Sequence, residues 1–257
     1  MRTVFPTEME ADLIKTFFAT TDRGFFVEVG ANEPRTLSQT WELEQRGWTG
    51  VLIEPQPDLA KSLRRERSAK VFAVACSSRR NAGSQMTLHL AGSHSSFDAG
   101  LNLVEVKPGG SIKVPVRTLD DILAEANAPS IDFVSIDVEG HEPDVLDGFS
   151  LSDWRPRLIL IEDLLLRTRL HRELVRRGYC WIRRTGINNW YVPRPAAPKL
   201  GLDGRWQFFR KLYLGTPSRR MRMTWRRLIA VPQPWTQWGE TNAPIAPKEQ
   251  SSPTGLD

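Results

Sequence analysis

A chain of 257 residues with a net charge of +5, two cysteines and an ordinary share of apolar (40%) and charged (25%) residues excludes several classes at once. It is too apolar for a disordered polymer, its cysteines Cys76 and Cys180 are too few and too far apart for a disulfide scaffold, and no apolar run approaches the about 18 residues that span a bilayer. What remains is a globular chain with one main core, read as cytoplasmic from its thiol usage and from the lack of a charged and apolar leader at Met1.

Glu8 to Phe18 carries apolar residues at helical spacing and predicts an entry helix. The next segment, FFVEVGANEP (Phe25 to Pro34), reads as the first strand and turn of a nucleotide-binding α/β unit, with the strand over Gly24 to Val29. Gly30 lets the backbone turn sharply and approach a ligand, and Glu28 offers a carboxylate to a polar or cationic ligand group. Asn32 either bonds the ligand or accommodates the turn. A GxGxxG loop would present amides to a pyrophosphate, whereas one acid followed by one glycine suits a ligand with an amino group and no phosphate, such as S-adenosylmethionine.

Thr36 to Arg46 predicts a helix stopped by Gly47, with Leu37, Trp41 and Leu43 on its inner face. GVLIEP (Gly50 to Pro55) is the second strand, ending in Glu54 where an acid meets ribose hydroxyls. Asp58 to Arg67 is a charged amphipathic helix, and KVFAVAC (Lys70 to Cys76) a third strand. Cys76 and Ser77, at its end, either face the adenine or belong to core and loop. Two β segments, MTLHLA and SIKVPV, flank a Gly/Ser-rich loop. In that loop His94, Ser95 and Ser96 either cover the acceptor or serve as linker, while His89 reads as structural.

Thr118 caps a helix through Ala126 that has acids in its first turn. IDFVSIDVEG supplies the fourth main strand and RLILIED (Arg157 to Asp163) the fifth. Arg167 to Arg177 is a basic helix with His171 on its surface, and YCWIRR and NWYVPR form two closing strands. This alternation predicts a mainly parallel sheet with helices on both faces and a ligand crevice beyond the strand C-termini.

Chemistry concentrates after the fourth strand, where Asp137, Glu139, His141 and Glu142 fall within six residues and Gly140 lets the chain turn back. Glu162 and Asp163 end the neighbouring strand. Carboxylates converging from adjacent strand ends need a proton or a cation between them, and Mg²⁺ suits such oxygens, so Asp137, Glu139, Glu162 and Asp163 are the candidate metal ligands. His141 is the candidate general base for a hydroxyl acceptor, with Asp137 and Glu139 as further catalytic candidates.

VEVGANEP, RGWTGVLIEPQP, VPVRTLDDIL, IDFVSIDVEGHEPDVLDGF and RPRLILIED, in this order, resemble the FkbM-family methyltransferases. The resemblance implies a seven-stranded Rossmann-like α/β fold of the class I methyltransferase type and S-adenosylmethionine-dependent O-methylation of hydroxyls on sugars or other secondary metabolites. By position it assigns Glu28, Gly30, Asn32 and Glu54 to the cofactor, and the segment from Asp137 to Glu142 to the acceptor. The DVEG and IED strand ends also look like the acidic pair of metal-dependent macrolide O-methyltransferases.

The expected organisation is a methyltransferase domain over residues 1–192, a basic aromatic extension over 193–230 and a tail over 231–257. Arg205 to Arg227 holds eight arginines and lysines and no acid, interleaved with Trp206, Phe208, Phe209, Tyr213 and Trp225. That composition suits an anionic membrane surface, packing on the main domain or, less well, nucleic acid. The leading expectation is an O-methyltransferase acting on a sugar, glycan or glycosylated metabolite. The alternative is a non-catalytic membrane- or polyanion-binding module on the same fold.

Overall fold

The computed structural model describes residues 6–90, 95, 97, 110–163, 168–198, 202–209 and 221. An N-terminal helix α1 (Pro6–Phe17) leads into β1 (Phe25–Val29), α2 (Trp41–Gln45), β2 (Thr49–Ile53), α3 (Pro57–Glu66) and β3 (Lys70–Phe72). Three further strands follow, β4 (Ala75–Cys76), β5 (Gln85–His89) and β6 (Ser111–Arg117), and then α4 (Leu119–Ala126). The chain continues through β7 (Phe133–Ile136), α5 (Glu142–Asp147), α6 (Leu151–Trp154), β8 (Leu158–Glu162), α7 (Thr168–Arg176), β9 (Tyr179–Thr185), β10 (Asn188–Pro193) and α8 (Leu202–Phe209).

Seven strands form the main sheet in the order β3-β2-β1-β7-β8-β10-β9, and β4, β6 and β5 form a small second sheet. β3, β2, β1, β7 and β8 run parallel, while β10 is antiparallel to both its neighbours. This is the Rossmann-like class I methyltransferase arrangement that the motifs imply. Strand order reverses between β1 and β7, so their C-terminal ends bound the crevice where ligands bind in such sheets.

The sequence alternates within β1, and each parity buries a different half of the core. Val27 and Val29 pack with Val51, Ile53, Val134, Ile136, Ile159 and Ile161, beneath α4, α5 and α7. Phe26 packs on the other face with Leu52, Phe133, Leu158 and Leu160, beneath Ile14 of α1, Leu43 of α2 and Leu63 of α3. Each such side chain contributes about 1.5–3 kcal/mol of burial. Glu28 shares the parity of Phe26, and its registered neighbours are Leu52 and Ser135.

Several elements depart from the sequence expectation. The helix expected over Thr36 to Arg46 is only α2, because Ser38, Gln39 and Thr40 bond the Glu28 carboxylate and hold the chain in a turn. Leu37 consequently sits outside, 57% exposed at φ +63°, rather than on an inner face. The single strand expected over Lys70 to Cys76 is two. Lys70–Phe72 pairs with β2, and Ala75–Cys76 turns away to pair with β6. His171, expected on the helix surface, is half-buried, with its Nδ1 3.0 Å from the Tyr191 hydroxyl and its ring against Phe208. α5 and α6 fill a stretch that carried no element assignment. The caps of α4 are as expected, with Thr118 Oγ1 accepting from the Asp121 amide at 3.1 Å.

Cys76 and Cys180 are both free thiols. Among the described residues no helix is long and apolar enough to cross a membrane. His94, Ser96, most of the basic segment after Phe209 and the tail over 231–257 lie outside the described residues.

Candidate active site

The tips of β1, β2 and β7 are tied together by backbone. Gly30 and Ala31 donate to the Ile53 carbonyl at 2.9 and 3.1 Å, and the Asp137 amide donates to the Val29 carbonyl at 3.0 Å. Gly30 has φ +82°, and a Cβ there would stand 1.8 Å from the Asp137 carbonyl oxygen. The turn therefore requires glycine both for its left-handed backbone and for the close approach of β7. Asn32 also takes a left-handed backbone, at φ +52°.

Glu54 continues from β2 into this turn. Its Oε2 accepts the Asn32 amide and its Oε1 accepts the Gln56 amide, each at 2.9 Å. Burial pushes its carboxyl above the ordinary range, and the two amides pull it partly back. Each oxygen retains a second lone pair, so Glu54 can accept from ribose hydroxyls while fixing the Asn32 turn.

Glu28 sits differently. Its carboxylate is 4% exposed and accepts from Ser38 Oγ at 3.0 Å, the Gln39 amide at 2.7 Å and Thr40 Oγ1. Arg67 stands 4.0 Å away with a side chain sealed from solvent. Its guanidinium donates to Glu44, to the Pro34 carbonyl at 3.0 Å, to Ser38 Oγ at 3.1 Å and to Thr40 Oγ1 at 2.8 Å. Burial raises the Glu28 carboxyl, opposed by Thr40 and by the Arg67 charge. Glu28 thus faces the 38–40 turn and organises the loop that continues from Gly30. Arg67 and Glu44 carry no motif signal, since a basic residue ending a charged helix reads as solvated.

The loop after β7 holds the acids. Glu139 takes φ +53° and Gly140 φ +98°, a pair of left-handed residues that turns the chain back into α5. Glu142 Oε1 accepts the Gly140 amide at 2.9 Å and the Val138 amide at 3.4 Å, closing the loop from inside. Asp137, Glu139 and Glu162 each bring a carboxylate oxygen within 4.8 Å of the others. Burial and the neighbouring Asp137 and Glu142 charges push Glu139 up to about 8, and burial pushes Glu142 up to about 7. Glu162 is pushed well above its ordinary range by burial first, then by the Asp137, Glu139 and Glu142 charges. Glu162 Oε2 is buried without a hydrogen-bond partner. Asp163, expected beside them, is not one of the three; its charge acts on His171, Arg184 and Tyr191.

His141 stands over the end of β4. Its Nε2 lies 2.9 Å from Ser77 Oγ, its Nδ1 3.6 Å from Asp144 Oδ2, and its ring 5.2 Å from that of Phe97. Asn81 Nδ2 donates to the same Ser77 oxygen at 3.1 Å, so the hydroxyl links the imidazole to the Asn81 amide. Burial lowers the His141 pKa, with Asp144 opposing, so the ring is neutral near pH 7. Gly148 lets α5 close on this point, for a Cβ there would meet the Ser77 carbonyl at 2.2 Å. Cys76 is a core residue whose thiol burial pushes upward, out of reach of ionisation.

One residue outside every motif borders the site. Glu10 of α1 is 2% exposed and accepts from Gln39 Nε2 at 3.0 Å, Asn188 Nδ2 at 2.9 Å and Thr185 Oγ1. Burial raises its carboxyl, the three donors lower it, and the Asp137 charge raises it further. Nothing in the sequence of the entry helix distinguishes Glu10 from a solvated acid.

The N-terminal domain of human METTL16 in complex with SAH is similar at 13% identity over 75% of this chain and 70% of that one, with a TM-score of 0.41. The METTL16 MTase domain in a second crystal form is similar at 13% identity over 72% and 64%, with a TM-score of 0.40. No curated protein matches the chain in sequence. The model of the methyltransferase FkbM domain matches residues 28–177, more than half of the chain, and takes in the Gly30 turn, Glu54, the Asp137–Glu142 loop and Glu162. The chain belongs to the FkbM methyltransferase family.

Proposed function

We propose that this methyltransferase transfers the methyl group of S-adenosylmethionine to a hydroxyl of a sugar, glycan or glycosylated metabolite. The observation that carries the reading is the meeting of the Gly30–Asn32 turn, Glu54 and the acid-rich loop after β7 at the reversal of strand order. In this reading Gly30 and Asn32 give the donor its backbone contact, Glu54 takes the ribose and Ser77 borders the adenine. Glu28 holds the turn from behind. The donor, when bound, supplies a sulfonium methyl, which bonds to the acceptor oxygen as the carbon–sulfur bond breaks and sulfur keeps the electron pair.

The chain must then take the hydroxyl proton. His141 is neutral and would receive it at Nε2, the nitrogen now turned to Ser77. A divalent cation fits the acids beside it, because Asp137, Glu139 and Glu162 converge and Glu162 Oε2 has no other partner. Mg²⁺ held there would lower the pKa of an acceptor hydroxyl. Asp163 has no part in that set.

Isothermal titration of the full chain with S-adenosylhomocysteine tests the reading most directly. Saturable binding that is lost in Glu54→Ala supports it, and an absence of binding to the wild-type chain overturns it. A methyl increment on hydroxylated acceptors, followed by mass spectrometry, then separates O-methylation from transfer to nitrogen.

A further inference from the structure

Away from the site, α7 and α8 present a surface that methyl transfer does not use. α7 buries Leu170 and Leu174 in the core and exposes Arg169, Arg172 and Arg176, which at spacings of three and four share one face of the helix. α8 is fastened alongside by Phe208, whose ring lies 5.2 Å from His171 of α7 and 5.0 Å from Trp181 of β9. With Phe208 turned inward, Trp206 and Phe209 are left outside at 58% and 45% exposure, beside the exposed Arg205. The two rings stack at 6.0 Å and 28° and form one apolar prominence.

We propose that this face docks the protein on an anionic phospholipid bilayer, with Trp206 and Phe209 entering the headgroup boundary and the arginines of α7 and α8 meeting lipid phosphates. Charge complementarity argues for the occupant. Arg205 also opens a stretch of sequence, through Arg227, in which eight basic residues occur without one acid. Basic side chains near an anionic leaflet and aromatic rings at its boundary add their attractions, and neither alone gives stable attachment. The shape argues against single-stranded nucleic acid. Such strands follow a charged groove and stack bases on open rings, whereas this face is the outside of two helices and its rings cover one another.

Co-sedimentation of the full chain with vesicles of phosphatidylcholine, with and without phosphatidylserine, tests the proposal. We expect binding only to the anionic vesicles, weakened about a hundredfold in the triple variant Arg169→Gln/Arg172→Gln/Arg176→Gln and about tenfold in Trp206→Ala/Phe209→Ala. Both variants lie on the surface and should keep the wild-type melting temperature, which confirms that the loss is one of docking. No binding by the wild-type chain, or undiminished binding by both variants, overturns the proposal. So does binding to single-stranded RNA that exceeds binding to anionic vesicles and falls in the same two variants.

Discussion

Gly30 and Asp137 meet backbone to backbone: a methyl group on the Gly30 Cα would stand 1.8 Å from the Asp137 carbonyl oxygen. β1 and β7 come this close because no side chain projects between them, and the turn proposed to contact the donor inherits its shape from that approach. Gly30→Ala should therefore separate the two tips and strain a left-handed backbone. We expect a loss of about 3 kcal/mol in stability, read by urea unfolding, and S-adenosylhomocysteine affinity reduced at least about tenfold by titration calorimetry. Wild-type values for both would mean that the strand tips yield freely.

Arg67 holds the same turn from below through Pro34, Ser38 and Thr40. Arg67→Met removes the cation and leaves Glu28 and Glu44 buried together, which should cost about 3–5 kcal/mol. Adding Glu44→Gln to that variant should recover part of the loss, because one of the stranded acids is neutralised. A double-mutant cycle by thermal unfolding measures the coupling.

Leu37 is a bulky residue in a left-handed conformation with its side chain in water. Leu37→Asn should raise stability by about 0.5–1 kcal/mol, since asparagine adopts that backbone with less strain. A lower melting temperature in this variant would show that the Leu37 side chain has a contact partner beyond the chain itself.

Glu139 and Glu142, held near about 8 and about 7, set a pH dependence. Both are raised above the unfolded value, so between about pH 4.5 and 8 the folded state binds more protons than the unfolded state. Their contribution is fully present below about pH 4.5 and is lost as the pH rises through 7 and 8. Glu142→Gln should flatten the lower part of that decline in a series of melting temperatures. A Mg²⁺ ion held by Asp137, Glu139 and Glu162 would need them ionised, so added Mg²⁺ should raise the melting temperature at pH 8 and leave it unchanged at pH 5. Equal Mg²⁺ effects at both values would remove the cation from the Asp137, Glu139 and Glu162 set.

His141→Ala should lower turnover by about 10²–10⁴-fold while leaving S-adenosylhomocysteine affinity within about threefold. An equal fall in both would recast the residue as part of the adenine wall through Ser77.

The presence and mainly parallel direction of the main strands were legible because continuous apolar runs alternated with helical segments and ended in acids and glycines. Glu54, Asp137, Glu139 and Glu162 were legible for the same reason, as carboxylates at strand ends. Asp163 follows Glu162 directly, and residues adjacent along a strand end point to opposite sides: Glu162 joins Asp137 and Glu139, while the Asp163 charge acts on His171, Arg184 and Tyr191. The capture of Ser38 to Thr40 by Glu28 escaped a reading based on periodicity, since apolar spacing in that segment mimics a helix. Glu10, Glu44 and Arg67 were hidden because burial of a charge depends on partners far away in the chain.

Glu10 has a practical consequence for anyone trimming this protein. The family match runs from 28 to 177, yet Glu10 is clasped by Thr185 and Asn188, and Trp190 Nε1 donates to the same Thr185 hydroxyl at 2.7 Å. Helix α1 is thus stitched to the β9–β10 pair, and those two strands fall wholly past the matched stretch. A fragment cut to the family boundaries would expose the flank of β8 and lose its closing seam, so we expect it to melt well below a piece that runs from α1 through β10.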